Sequence, residues 1–384
     1  MKVAVVHSFY ASRHPSGENA VVSDQVDQLR RSGHEVRLIA QRTDELETDP
    51  LFSARAAWTT MTGTGRSPAH ELSTFAPDVV HLHNTFPNWG VNWLRQWGAR
   101  TVVTLHNFRP LCSNGLLFRD GGTCHDCIKT PVLPAVRHKC YRDSALASVP
   151  LAIGSSPRGA LRRIPRLCRE VIALNSDAAA TYGAALERDV KVVPNFVSPL
   201  RREITPSRRW LFVGRLGAEK GIDQLLASWP NEEELDVVGA GPLEQLVRSH
   251  ADRNPKVRVL GLLPREAVLN ALPSYTGLIV PSMCTENLPT VILEALAAGV
   301  PSAVSHHVQA AGELVSQGAA LAFSPGGTSL SVSAVLSDLD ERGPAMRLAA
   351  GEVYRRRYSP EAWQSEIDRI YASVLRGPAR ELDG

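Results

Sequence analysis

No apolar run in the chain approaches the roughly 20 residues that a bilayer-spanning helix needs. No block of Lys and Arg of the kind that tracks a phosphate backbone is present either. Lysine is scarce, with six residues among 42 basic side chains, and 39 acidic residues leave a formal charge of only +3. That balance gives no reason to expect a nucleic-acid partner. The opening MKVAVVHSFY carries too short an apolar stretch for a signal-peptide core and reads as a first buried strand, so the expected location is the cytoplasm. No short internal repeat is visible, and only six cysteines occur.

With 384 residues, 43% hydrophobic and 21% charged, the chain has the composition of a globular protein and the length of two domains. The first half alternates strands and helices. The apolar runs 2–8, 35–40, 78–84, 100–107 and 170–176 read as strands buried on both faces. Between the first two, Val21, Val22, Val26 and Leu29 recur at helical spacing, closed by Ser32-Gly33. The second half repeats the pattern, with strands expected at 210–216, 235–241, 257–263, 276–282 and 301–307. Its helices are expected at 220–228, 242–252, 265–273, 290–298 and 308–316. Parallel strands joined by helices make a doubly wound α/β sheet, here two of them. The Pro-, Ser- and Arg-rich stretch 192–209 reads as the linker. Ser359-Pro360-Glu361 opens a last helix whose apolar face is Trp363, Ile367, Ile370, Tyr371 and Val374.

The most informative stretch is VGRLGAEKGID at 213–223. A strand, the glycine turn at Gly214, the cations Arg215 and Lys220, and a helix starting near Gly221 together suit a bound anion. A second turn, VVGAGPLE at 237–244, places Gly239 at another strand end. Glu244 stands where a dinucleotide fingerprint has its third small residue, which argues against NAD. In PSMCTENLPTVILEALAAGVP (281–301), Glu286 lies in a loop after a strand and Glu294 eight residues on, in a helix. Such a pair can serve sugar and ribose hydroxyls, or be a cap and a solvated side chain.

Taken in order, G-R-L-x-x-E-K-G at 214–221, P-S at 281–282 and E-x7-E at 286–294 with E-A-L-A-A-G-V-P resemble the donor-site signature of retaining glycosyltransferase family 4. PDVVHLHN (77–84), VVTLHN (102–107), VVPN (192–195) and the final helix extend the likeness along nearly the whole chain. The resemblance implies a GT-B fold, two Rossmann-like domains facing a cleft: an acceptor-side domain over 1–197, a nucleotide-sugar domain over 205–357, and a helix over 358–376 crossing back. It implies a nucleoside-diphosphate sugar as co-substrate, a sugar, lipid-linked or natural-product acceptor, and no requirement for a catalytic metal. On the matching positions, Arg215 and Lys220 would hold the diphosphate, with Gly214 and Gly239 at the turns beside it. Glu294 would bind the ribose. Glu286, with Asn287 and Leu288, would meet the donor sugar, His106 would reach it near the reacting carbon, and Gly17, in the loop after the first strand, would close over the diphosphate. Two departures stand out. Asn287-Leu288-Pro289 replaces a Gly-Phe-Gly-like segment, and HHVQAAGE (306–313) lacks a double glycine before its glutamate. Ser16-Gly17 replaces two glycines. These leave the donor sugar open. A sugar-nucleotide epimerase of similar fold and a non-catalytic sugar-nucleotide binder are the rival readings.

Four cysteines, Cys112, Cys124, Cys127 and Cys140, are spaced C-x11-C-x2-C-x12-C in an insertion over about 108–145. Structural zinc, free thiols and disulfides are all open readings, with His125 and His138 as substitute ligands. Cys168 and Cys284 read as isolated thiols. Of His81 and His83, one is expected packed and the other loop-facing, the alternative being a direct catalytic role. Arg158, Arg162, Arg163, Arg166 and Arg169 read either as a solvated helix face or as a contact with an anionic membrane surface, which would put the protein at the inner face of the membrane, or with a phosphorylated acceptor.

Overall fold

The computed structural model describes residues 1–12, 17–200 and 207–376. It divides into two compact units. The first comprises Met1–Leu117, Cys124–Pro194 and the chain from Trp363 onward, the second Phe118–Thr123 and Asn195–Ala362.

Unit 1 is built on a six-stranded sheet of β1 (Lys2–Phe9), β2 (Glu35–Arg42), β3 (Val79–Leu82), β4 (Thr101–Leu105), β7 (Glu170–Ala173) and β8 (Lys191–Val192). Between β4 and β7 comes a short antiparallel hairpin of β5 (Phe118–Arg119) and β6 (Gly122–Thr123). The sheet order is β2-β1-β3-β4-β7-β8, every pair parallel. Strands buried on both faces must be apolar throughout, and β1 is buried from Val3 to Phe9. Helix α1 (Gly17–Arg31) turns Val21, Val22, Val26 and Leu29 inward and closes at Gly33, where φ is +84°.

Unit 2 repeats the architecture with β9 (Trp210–Val213), β10 (Leu235–Val238), β11 (Val257–Gly261), β12 (Gly277–Val280), β13 (Ser302–Ser305) and β14 (Ala320–Phe323). Its order, β11-β10-β9-β12-β13-β14, is again parallel throughout. In strand sequence this is the doubly wound 3-2-1-4-5-6 pattern, which reverses direction between its first and fourth strands. Its core runs through Trp210, Phe212, Leu225, Val237, Ile279 and Leu336.

The apolar runs overshoot the strands at their C-terminal ends. β3 ends at Leu82, the last residue in register with β1 and β4, and its final bond to β1 is the His83 N–H donating to the Val6 carbonyl at 3.1 Å. The helix expected over 220–228 breaks at Gly221, giving a 3₁₀ turn (Ala218–Lys220) and then α2 (Ile222–Ser228). Helix α3 (Thr290–Ala298) falls as the spacing predicts, and the last helix, α4, spans Pro360–Arg376. Part of the linker stretch, 201–206, lies outside the described residues. No described helix is long and apolar enough to cross a membrane. The basic stretch is not uniformly solvated: buried Arg162 donates to the Ala185 carbonyl at 2.9 Å, and Arg163 to that of Thr62 at 3.0 Å. Those two side chains reach orphan carbonyls and are not available to a membrane.

A buried carboxylate ties three strands of unit 2. Asp236, 1% exposed on β10, accepts from Arg209 Nε at 2.7 Å, Arg258 Nε at 2.8 Å and the Tyr275 hydroxyl at 2.8 Å. Burial alone would raise its pKa, but bonds from Arg258, Tyr275 and Arg209 together hold it below the ordinary aspartate value. Asp236→Ala would remove the acceptor shared by Arg209, Arg258 and Tyr275, leaving Arg209 to Glu234 at 2.6 Å, and is expected to cost about 2 kcal/mol in urea unfolding. The wild-type stabilisation from this group is full above the unfolded aspartate pKa and is lost as pH falls through the depressed folded value. An Asp236→Ala loss within about 0.5 kcal/mol would contradict the account.

Candidate functional site

In a sheet of order 3-2-1-4-5-6, the loops leaving the first and fourth strands diverge and open a crevice at the switch point. In unit 2 these loops follow β9 and β12. The first carries Gly214, Arg215 and Lys220, the second Ser282 and Glu286, and the two loops meet. Lys220 Nζ donates to Glu286 Oε2 at 2.7 Å, and the Ser282 hydroxyl donates to Glu286 Oε1. The Met283 and Cys284 N–H groups donate to the Glu219 carbonyl at 2.9 and 3.2 Å, fixing one loop against the other. Burial would lower the pKa of Lys220, but Glu286 outweighs it and the net shift is upward. Lys220 is therefore a firm cation neutralised only by a carboxylate.

Two glycines shape this crevice, and Gly214 is not one of them. A Cβ on Gly214 would meet only the Phe212 ring, at 3.4 Å. At Gly221 φ is +67° and a Cβ would fall 2.0 Å from the Pro281 carbonyl; at Gly239 φ is +143° and it would fall 1.8 Å from that of Gly214. Gly239 thus holds the β9 and β10 ends at backbone contact. Arg215 is exposed and donates to Glu219 at 2.9 Å. Glu294 is buried on α3 and paired with Arg265 Nε at 2.9 Å, a partner that the sequence pattern does not mark. Asn287 and Leu288 are buried beside the loop.

His106 belongs to unit 1, just past β4. Its Nε2 lies 3.0 Å from His83 Nδ1 and the rings stack at 5.2 Å, so one imidazole donates to the other. His83 stacks in turn on His81 at 4.2 Å, and His81 is held by the Tyr371 hydroxyl at 2.7 Å and that of Thr104 at 2.8 Å. Both strand histidines are buried, at 0% and 5% exposure, which corrects the expected division into one packed and one loop-facing. Their alternation along the strand hid the fact that His83, past the last pair of β3, folds back onto His106. Burial lowers His81 to about 3, and burial with repulsion from His7 and His81 lowers His106 to about 3.

The switch point of unit 1 lies between β1 and β3. Glu18 sits there on α1, accepting from Asn107 Nδ2 at 3.3 Å. Burial raises its pKa to about 7, against the opposing pull of Arg109. Nothing in the sequence pattern marks Glu18, because the partners come from the loops after β3 and β4. Gly17 is the first residue of α1; Ser16 lies outside the described residues. Cys168 and Cys284 are buried. Among the described residues, no three His, Cys, Asp or Glu side chains stand at the spacing of a formed metal site.

Residues 15–201 match the family described as Glycosyltransferase Family 4, and residues 207–339 that described as Glycosyl transferases group 1. The chain belongs to the group 1 glycosyltransferases, and its fold is of the GT-B type. It is 26% identical to glycogen synthase of Mycobacterium tuberculosis over 95% of this chain and 86% of that protein. Among solved structures, it resembles sucrose-phosphate synthase from Thermosynechococcus elongatus (TM-score 0.65, 15% identity, 97% and 99% of the two chains). Anabaena HepE in complex with UDP gives a TM-score of 0.60 at 16% identity, over 97% and 100%.

The histidine column sets an acid limit. Unfolded, His7, His81 and His106 take up protons near pH 6.5, whereas folded they resist until about 4, 3 and 3. Stability is therefore full above pH 6.5 and falls as pH drops below it, with a slope approaching about 1.4 kcal/mol per pH unit for each histidine. Imidazole nitrogen NMR should show these three rings neutral from pH 8 to 5, and a ring titrating near 6.5 would refute the burial account.

Proposed function

We propose that the protein is a retaining glycosyltransferase that moves a hexose-type sugar from a nucleoside diphosphate to an acceptor hydroxyl, in glycan or glycosylated natural-product synthesis in the cytoplasm. The carrying observation is the Lys220–Glu286–Ser282 cluster at the switch point of unit 2. A donor would exchange partners there. Its diphosphate would take Lys220 and draw in the exposed Arg215, while its sugar hydroxyls would take Glu286. Glu294 would offer its carboxylate to the ribose, giving up part of its bond to Arg265. The Anabaena HepE structures with UDP and with UDP-glucose support a uridine diphosphate sugar as the donor to try first.

In the reaction so read, the bond from the sugar's anomeric carbon to the diphosphate breaks as the acceptor oxygen approaches the same face. The leaving phosphate oxygen takes the acceptor's proton, so no side-chain base is required. Lys220 and Arg215 stabilise the charge that grows on that oxygen, a contribution that exists only as the bond breaks. A depressed pKa keeps His106 uncharged, so it meets the electron-deficient sugar as a neutral hydrogen-bonding group. His83 fixes its ring. Pro289 has no N–H to offer the sugar, and its place directly before α3 leaves Asn287 and Leu288 to shape that wall.

The test is release of nucleoside diphosphate from a panel of nucleotide sugars by the purified chain. One donor should be hydrolysed slowly. Lys220→Ala should lower that rate by about 10²–10³-fold. His106→Ala should abolish turnover while nucleotide binding, read as thermal stabilisation, persists. Turnover lost in wild type with binding retained would leave a non-catalytic binder, and no stabilisation by any nucleotide sugar would overturn the donor site itself.

A further inference from the structure

From Phe118 to Ser144 the chain has one buried residue, Ala135. Regular structure amounts to the hairpin of β5 and β6, one helical turn at Asp126–Lys129 and another at Leu133–Arg137. Yet the backbone is sharply specified. Asp120, Val132, Lys139, Arg142 and Asp143, all non-glycine, hold positive φ, and Val132, at φ +71° and ψ −64°, is β-branched. Strain of this kind persists only where the surroundings over-determine it. Apart from Ala135 and the half-buried Ile128 and Tyr141, which pack on the core of unit 1, the segment has little apolar surface to do so.

We propose that Cys112, Cys124, Cys127 and Cys140 bind one zinc ion that stands in for the missing core of this segment. The fold brings the four together from separate turns. Cys112 closes the turn after His106, its N–H donating to the Phe108 carbonyl at 2.8 Å. The hairpin returns the chain so that the Cys124 N–H meets the Leu117 carbonyl at 2.8 Å. Cys127 rides on the first helical turn and receives the Ala135 N–H at its sulfur. Cys140 donates its own N–H to the Ala135 carbonyl at 3.0 Å, so one residue binds both of the last two cysteines. An N–H aimed at sulfur favours the thiolate form that a metal requires.

Cys112, Cys140 and Cys124 all lie within electrostatic reach of Cys127. Zinc binding would displace the four thiol protons to solvent and gather the sulfurs around one cation. The charge also balances. Between Phe118 and Ser144, five Lys and Arg against three Asp leave two positive charges, equal to the excess negative charge of a zinc ion on four thiolates. Among the described residues no three such side chains stand at ligand spacing, so binding requires the sulfurs to draw together around the ion. The same ion would brace the loop bearing Arg109, which donates to the Ser113 carbonyl at 3.2 Å beside Cys112.

Full-length protein purified without chelator is expected to hold about one zinc per chain by elemental mass spectrometry, with all cysteines reduced by intact mass. Cys127→Ser should bring the zinc near zero, while Cys168→Ala leaves it unchanged. Chelation should also expose the stretch between Phe118 and Ser144 to proteolysis. Should Cys127→Ser fail to fold, wild-type chain stripped and reloaded with Co²⁺ should show sulfur-to-cobalt charge transfer and tetrahedral visible bands. A zinc-free chain with free thiols, a mass reduced by disulfide formation, or zinc retained in Cys127→Ser would each overturn the proposal.

Discussion

Parallel strand pairing imposes a direction on everything else in this molecule. In both six-stranded sheets every strand points the same way, so the loops at one end all follow strand C-termini. His83 and His106 leave β3 and β4 at that end; Arg215, Gly239 and Ser282 leave β9, β10 and β12. Chemistry-bearing side chains far apart in sequence therefore need no special device to meet. The order of strands decides which loops diverge, and those are the loops that carry Glu18 in one unit and the Lys220–Glu286 pair in the other.

In the crevice of unit 2, cation and carboxylate satisfy each other. An unpaired Lys220 at this depth would suffer desolvation with nothing to offset it, and Glu286 would be held only by Ser282. The pairing keeps Lys220 a firm cation and fixes the Glu286 carboxyl between it and Ser282. In unit 1 the logic is opposite. His7, His81 and His106 are kept neutral by burial, and His83 lies between the last two, stacked on one and bonded to the other, which suits a place where positive charge on the protein would be unwelcome.

How much of this was legible in sequence divides along physical lines. Doubly buried strands are runs of apolar residues and could be found, though not their ends, because pairing and not hydropathy stops β3 at Leu82. Helix α3 was legible from its small-residue spacing. By contrast, the stripe of Ser176–Leu186 is only Ala178, Tyr182 and Leu186, too thin in an alanine-rich run to stand out. At the site, the residues of the glycine-and-cation motif were visible because the motif is local. Glu18, Arg265 and the bond between His83 and His106 were not, since each depends on a partner brought in from another loop. Gly214 stood out in the motif, yet the steric demand falls on Gly239, whose close neighbour is 25 residues away in the chain.

One feature of unit 1 reaches into how the chain is made. Tyr371, fully buried on α4, caps His81 in the middle of the first sheet, and Trp363, Ile367 and Val374 are buried on the same helix. During synthesis the strands of that sheet are made before unit 2 and the helix that completes them after it. Until α4 has been made, His81 lacks the tyrosine hydroxyl that caps it. The core of unit 2, contiguous in sequence, has no such dependence on a distant segment.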